Sequence, residues 1–238
     1  MNSKFLVLLH EHSTPAGTTL EWLERRQLPY DLVLASDVDF SGLSLDYCGI
    51  VFCGGGMNVD EEKKHPWLKE EKDYITELMK KKRKMVGLCL GAQLIAENLG
   101  AKVTTDKKWE VGWHDVEIIN SEYLFNLSQQ NLQLTSEKKI TAFHLHQYYF
   151  KLPSGANLLA TNSFCKNQAY TYQNHVLAFQ FHPEVDRAWI EKNLHIIKND
   201  WSGPVQDANT IQTKWNYLDS LKEWYFCALN QFFKNELI

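Results

Sequence analysis

Short apolar runs alternate with amphipathic stretches through the first hundred residues. Phe5–Leu9, Tyr30–Leu34 and Gly49–Cys53 read as strands. A helix near Gly17–Arg26 stops before Pro29, and His65-Pro66-Trp67 opens another in which Leu68, Ile75, Leu78 and Met79 share a face. The run Lys84–Leu88 is a further strand, followed by a helix-like segment from Leu90 to Leu99. Strands interleaved with helices of this length predict right-handed βαβ crossovers and a largely parallel sheet. The pattern changes after Gly100. Gly112–Ile119, Lys139–Leu145, Asn157–Thr161, Ala169–Tyr172 and Val176–Phe181 are strand-like with few helices between them, which fits a mixed sheet with an antiparallel flap. Asp186–Ile197 reads as helix. After Gly203-Pro204, a last segment from Asp207 to Phe233 carries Trp215, Leu218, Leu221, Trp224, Tyr225, Leu229 and Phe232 at helical spacing. No internal repeat or low-complexity linker interrupts the chain, so one domain over residues 1–238 is expected, with 199–238 as a helical extension packed on it.

Composition narrows the classes of function. At 238 residues the chain can bury a large α/β core, and 44% hydrophobic with 23% charged residues is ordinary for a globular protein. A net charge of −4 argues against a nucleic-acid surface. The single basic run, Lys80–Lys84, falls where a helix should end, and cations suit that pole of the helix dipole. Five cysteines (Cys48, Cys53, Cys89, Cys165, Cys227) have no regular spacing, so neither a disulfide framework nor a zinc ribbon follows. Phe5–Leu9 is too short for a signal-peptide core, and no apolar run approaches a membrane span. A reducing, cytoplasmic setting is expected.

The chemistry concentrates in Gly87-Leu88-Cys89-Leu90-Gly91. A cysteine at a tight turn between strand and helix is held out at the carboxyl end of a sheet, with flanking glycines allowing the turn and a close approach of substrate. Amide groups opening the helix favour a thiolate and an oxyanion. Such a thiol needs a base, and the best one lies in Phe179-Gln180-Phe181-His182-Pro183-Glu184. His182 and Glu184, two apart with Pro183 between, can point to one side, so that the carboxylate holds the imidazole tautomer. Alone, His-Pro-Glu also fits a surface turn. Cys53-Gly54-Gly55-Gly56-Met57 follows an apolar strand and can turn backbone amides toward a carbonyl, although a plain strand-to-helix turn reads the same way. Gln93 lies one turn beyond Cys89 on the same helical face. His10 with His12, and His144 with His146, are pairs with no cysteine or carboxylate at convincing spacing, so no metal is expected. Trp67, Trp109 and Trp113 read as packing or interface residues.

Together G-L-C-L-G-A-Q, F-H-P-E and the earlier G-G-G-M-N-V resemble the class I (triad) glutamine amidotransferase family, in its stand-alone branch similar to the glutaminase domain of GMP synthase. The likeness covers roughly residues 4–198. It implies an α/β fold of flavodoxin-like kind, a mixed and mostly parallel sheet flanked by helices, and release of ammonia from glutamine through a γ-glutamyl thioester without a cofactor. It further implies Cys89 as nucleophile, His182 as base, Glu184 as its orienter, and the amides of Gly55 and Leu90 as oxyanion hole. Gln93, His146 and Gln147 fall on substrate-binding positions. Two departures stand out. Gly56 replaces a common proline, which is expected to loosen the loop. Tyr148 replaces a frequent acidic residue, which leaves recognition of the substrate α-amino group open.

The ligand expected is a small molecule, glutamine or a γ-glutamyl compound, with no nucleic acid and no membrane involved. The chain carries no G-x-x-x-x-G-K-[ST] signature, so an ammonia acceptor would sit on a separate synthetase protein. The alternative is a γ-glutamyl peptidase acting on γ-glutamyl amides or glutathione-like compounds, and a third reading is a non-enzymatic regulatory protein. A rival class of cysteine-elbow proteins places its histidine soon after the cysteine. Here the next one, His114, follows Trp113, and the F-H-P-E strand argues against that class.

Overall fold

The computed structural model describes residues 4–119, 139–198 and 200–237. Its centre is one nine-stranded sheet in the order β2-β1-β3-β4-β9-β8-β7-β5-β6. The strands are β1 (Phe5–Leu9), β2 (Tyr30–Leu34), β3 (Gly49–Phe52), β4 (Met85–Leu88), β5 (Val103–Ile118), β6 (Lys139–Phe150), β7 (Ala156–Thr161), β8 (Ala169–Tyr172) and β9 (Val176–Phe179). From β2 to β9 the pairs are parallel, and from β9 through β8, β7 and β5 to β6 they are antiparallel. The antiparallel strands expected as a flap therefore continue the same mixed sheet.

The strand sequences explain the layers. Along β1, Phe5 and Val7 face one core while Leu6 and Leu8 face the other, the alternation of a strand covered on both sides. The first core receives α1 (Thr18–Arg25), α4 (Arg187–Asn193), α5 (Ala208–Gln212) and α6 (Tyr217–Phe232), through Trp22, Leu23, Trp189, Ile211, Trp224 and Tyr225. The second receives α2 (Trp67–Lys80) and α3 (Leu90–Asn98), through Leu68, Ile75, Leu78, Leu94 and Ile95. Leu68, Ile75, Leu78 and the packed Met79 lie on the face of α2 that their spacing predicts. No helix among the described residues is long and apolar enough to cross a membrane.

Three elements depart from the sequence pattern. The hairpin strands β5 and β6 are longer than their apolar cores, because a register shift between Thr105 and Glu110 lets pairing resume as far as Val103–Phe150. The segment 207–233 is two helices. After α5, capped by the Asp207 carboxylate on the Thr210 amide, hydrogen bonds tighten to three-residue spacing at Lys214, Tyr217 and Leu218. Likewise α4 ends at Asn193 and gives way to a single 3-10 turn over Leu194–Ile196.

The crossover from β4 to α3 depends on Gly91. A Cβ there would lie 2.2 Å from the Phe52 carbonyl oxygen, so only glycine lets the start of α3 settle on the end of β3. Gly91→Ala should lower unfolding stability by about 3 kcal/mol, the upper end for overpacking, since backbone rather than a flexible side chain opposes the methyl group. Denaturant titration measures it.

Candidate active site

Cys89 is the residue between β4 and α3, with φ 48° and ψ −102°, a left-handed conformation stored at the turn. Its amide donates to the Phe179 carbonyl at 2.8 Å, which ties the turn to the end of β9. The sharp turn leaves Leu90 as the first residue of α3, where an amide has no intrahelical acceptor. The next amide, of Gly91, donates to the Cys53 carbonyl at 3.2 Å and so pulls the Cys53-Gly54-Gly55 loop against the elbow.

His182 follows β9 and is anchored by its own amide on the Phe143 carbonyl of β6, at 2.8 Å. The imidazole is buried beside the Cys89 sulfur, and both line one cleft. A Cβ placed on Gly54 would meet His182 Cε1 at 2.9 Å and Cys89 Cβ at 3.6 Å, so a glycine separates the two side chains and keeps their approach clear. On the far side, Nδ1 of His182 lies 2.8 Å from Oε1 of Glu184. The Trp189 ring lies against the imidazole, with centroids 5.0 Å apart. Glu184 is buried in turn, and its carbonyl accepts the Thr18 amide at 2.7 Å. That closeness requires Gly17 (φ 52°), where a Cβ would lie 2.0 Å from the same oxygen.

The electrostatics follow from this packing. Burial opposes a charge on the His182 ring, but the Glu184 carboxylate and then the Cys89 sulfur outweigh it and lift the imidazole to about 10. The arrangement thus favours the imidazolium, the form that donates a proton to a leaving group. By contrast, burial pushes the Cys48 thiol up to about 11, the Cys165 thiol up to about 12, and the Cys53 and Cys227 thiols above their ordinary value.

Cys89 and His182 open on a cleft of about 270 Å³ that Gly55, Leu90, Gln93, His146 and Gln147 also line. Every residue expected at the site is thus gathered there, with Glu184 behind His182. Gln93 makes a more specific contribution than its position predicts. Its side-chain nitrogen donates to the Tyr148 carbonyl at 3.1 Å and to Oε1 of Gln180 at 3.3 Å, leaving Oε1 as its group for a ligand. Gln180 donates in turn to the Cys89 sulfur at 3.7 Å. It is fully buried, and in the sequence it hides within an apolar strand run.

Glu11 likewise carries no signal in the sequence. It lines the cleft and accepts the Gly56 amide at 3.0 Å. A proline at position 56 has no such donor, so the loop expected to be loosened by Gly56 is tethered by it. Below the loop, the buried His10 ring lies 3.3 Å from the Gly54 carbonyl and 2.9 Å from Glu71, and stacks on Trp67. Burial would lower the His10 pKa, yet the Glu71 charge raises it, so His10 is a support of the glycine loop. His144 and His146 do have a carboxylate partner, contrary to the sequence expectation. Oε2 of Glu110 lies 3.4 Å from Nδ1 of His144 and 3.1 Å from Nε2 of His146. Trp109, at the cleft, stacks on Trp201 with centroids 3.8 Å apart.

Because the native imidazole titrates above its unfolded value of about 6.5, the stability it lends is complete below that pH. It is lost as pH rises through about 10. Urea unfolding of wild type and Glu184→Gln from pH 6 to 10.5 should give a stability gap that is widest at the acid end and narrows with rising pH. A gap that widened with pH would contradict the charge assignment.

Comparison with known proteins identifies the family and the fold. Residues 21–199 match the family described as Glutamine amidotransferase class-I. The glutamine-hydrolyzing GMP synthase subunit of Thermoplasma acidophilum is 34% identical over 181 residues, 74% of this chain and 83% of that protein. A glutamine-hydrolyzing GMP synthase of Clostridium botulinum is 30% identical over 65% of this chain but only 29% of its own length. In fold, a glutamine amidotransferase from Thermotoga maritima superposes with a TM-score of 0.84 at 24% identity, covering 98% of this chain and 99% of that one. One from Methylobacillus flagellatus reaches 0.86 at 20%, covering 98% and 95%. This chain belongs to the class I glutamine amidotransferase family.

Proposed function

We propose that the chain hydrolyses the γ-carboxamide of glutamine, with ammonia as the first product. The observation that carries this reading is the buried sequence of contacts from Glu184 through His182 to Cys89 on the floor of the cleft. In the first half-reaction the Cys89 sulfur attacks the amide carbon. The oxygen takes the negative charge against the amides of Leu90 and Gly55, where preorganised donors act most strongly. The His182 imidazolium gives its proton to the departing nitrogen, the C–N bond breaks, and a γ-glutamyl thioester remains on Cys89. In the second half, neutral His182 takes a proton from water, whose oxygen attacks the thioester. The thiolate leaves, glutamate is released and the imidazolium is restored. Glu184 orients the ring throughout without taking its proton.

Substrate recognition is assigned from the cleft lining. Glu11 is its carboxylate, apart from any contribution of the ligand, and it faces the α-ammonium of a γ-glutamyl group. That role offsets the tyrosine at position 148. Gln93 Oε1, Gln147 and His146 supply further polar contacts. By analogy with the relatives named as GMP synthases, the ammonia acceptor would be a separate synthetase protein. A second reading is favoured by the apolar part of the lining: Met57, Trp109, Trp189 and Ile196 give a surface for a leaving group larger than ammonia. In that case the same attack releases an amino acid or peptide from a γ-glutamyl compound.

A panel of glutamine, γ-glutamyl dipeptides and glutathione, with ammonia and amino-acid release measured separately, decides between them. Ammonia release from glutamine supports the first reading, and selective peptide cleavage the second. Turnover of neither overturns both. Cys89→Ala should abolish turnover with the fold retained by circular dichroism. Glu11→Gln should raise KM on the order of 10-fold or more with a smaller change in kcat, since a charge-assisted hydrogen bond is worth roughly 1.5–3 kcal/mol.

A further inference from the structure

Behind the wall of the cleft, β5 and β6 bring together a second set of side chains that the hydrolytic reading does not explain. In the antiparallel register Glu110 lies opposite His146, and Gly112 lies opposite His144. Residues 144 and 146 are two apart on one strand, so both rings share a face with the carboxylate. All three residues are buried. Their facing atoms, Glu110 Oε2, His144 Nδ1 and His146 Nε2, lie within 4.8 Å of one another.

The distances fit ligands around an ion, and the alignment of the rings does not fit hydrogen bonds. The two nitrogen–oxygen distances are 3.4 and 3.1 Å, yet neither nitrogen is aligned to bond the carboxylate, and both are buried without a hydrogen-bond partner. Tetrahedral ligands on bonds of about 2.0–2.1 Å stand roughly 3.3 Å apart. Glu110 is held as outer-sphere groups hold a ligating carboxylate: Asn162 donates to Oε1, and Gln168 donates to Oε2 at 2.8 Å. An oxygen has two lone pairs, so Oε2 keeps one for the side of the histidines. Entry is available from two directions, since His146 lines the cleft and Glu110 lines a separate cavity of about 350 Å³ beyond it.

We propose that Glu110, His144 and His146 bind one divalent transition-metal ion of the zinc class. Two imidazoles and one carboxylate suit a borderline ion, and three protein ligands leave a position for water. Bound there, the ion clamps β5 to β6 and fixes the His146 ring at the cleft wall. The proposal is independent of which γ-glutamyl compound is hydrolysed.

Cobalt(II) added to the metal-stripped full chain tests it. One equivalent should produce the intense visible bands of a low-coordinate site without the near-ultraviolet charge transfer of a cobalt–sulfur bond, and zinc should displace them. Saturating zinc should raise Tm by about 5 °C or more, the size expected near 100 times Kd for a chain of this length. Cys89→Ala should retain the bands, whereas Glu110→Gln and His144→Gln should lose them. The sulfur signature and the zinc shift are read on wild type, so a variant that fails to fold does not blur the result. Absence of stoichiometric cobalt uptake by wild type, a sulfur charge-transfer band, or bands unchanged in a folded Glu110→Gln protein would each overturn the site. The group would then be a buried ion cluster only.

Discussion

The buried contact between His182 and Glu184 is the constraint on which the site depends. A carboxylate enclosed by protein is costly unless paired. Here it is paired by an imidazole that burial would otherwise leave neutral, and the Cys89 sulfur lies on the other side of that ring. Each partner is fixed by a different part of the chain. Cys89 is held by the β4–α3 turn, His182 by its amide on β6, and Glu184 by the amide at the start of α1. The central sheet is the common frame: β4 and β9 are adjacent parallel strands, so the residues that follow them emerge side by side at one edge. This is the general advantage of placing reactive groups at the carboxyl ends of parallel strands.

Around that contact the glycines set clearances. Gly54 keeps the sulfur and the imidazole from being wedged apart, Gly17 lets α1 reach Glu184, and Gly91 seats α3 on β3. Side-chain amides fill the remaining polar positions. Gln93 and Gln180 form a chain from the Tyr148 carbonyl to the Cys89 sulfur, which immobilises both without adding charge to the cleft. His10 with Glu71 supports the glycine loop from beneath, and Glu11 ties its outer end. The loop is therefore held at both ends.

Much of this was legible in the sequence because it is local. The elbow is a strand, a turn and a helix within about fifteen residues, and His182 with Glu184 is a spacing of two along one extended segment. The parallel half of the sheet could be read from alternating apolar runs and helices. What escaped depends on register or on distant packing. Glu110 meets His146 only through the antiparallel pairing of β5 with β6, and the register shift after Thr105 hides how far that pairing extends. Gln180 sits between Phe179 and Phe181 and reads as a strand residue, because its bond to the sulfur is made across the sheet. Glu11 lies in a polar stretch after β1 that carries no periodicity. The break after α5 is invisible to hydrophobic spacing, which a 3-10 turn preserves closely enough to pass for continuous helix.

The central claim is that one sulfur is set apart from the other thiols by the imidazole beside it. Site-resolved mass spectrometry of the native chain during alkylation by iodoacetamide at pH 7 tests this most directly. Cys89 should be modified ahead of Cys48, Cys53, Cys165 and Cys227, and His182→Ala should slow its modification on the order of 10- to 100-fold, the scale of a lost charge-assisted hydrogen bond. Labelling of Cys89 no faster than the other cysteines, or at an unchanged rate without the imidazole, would contradict the account.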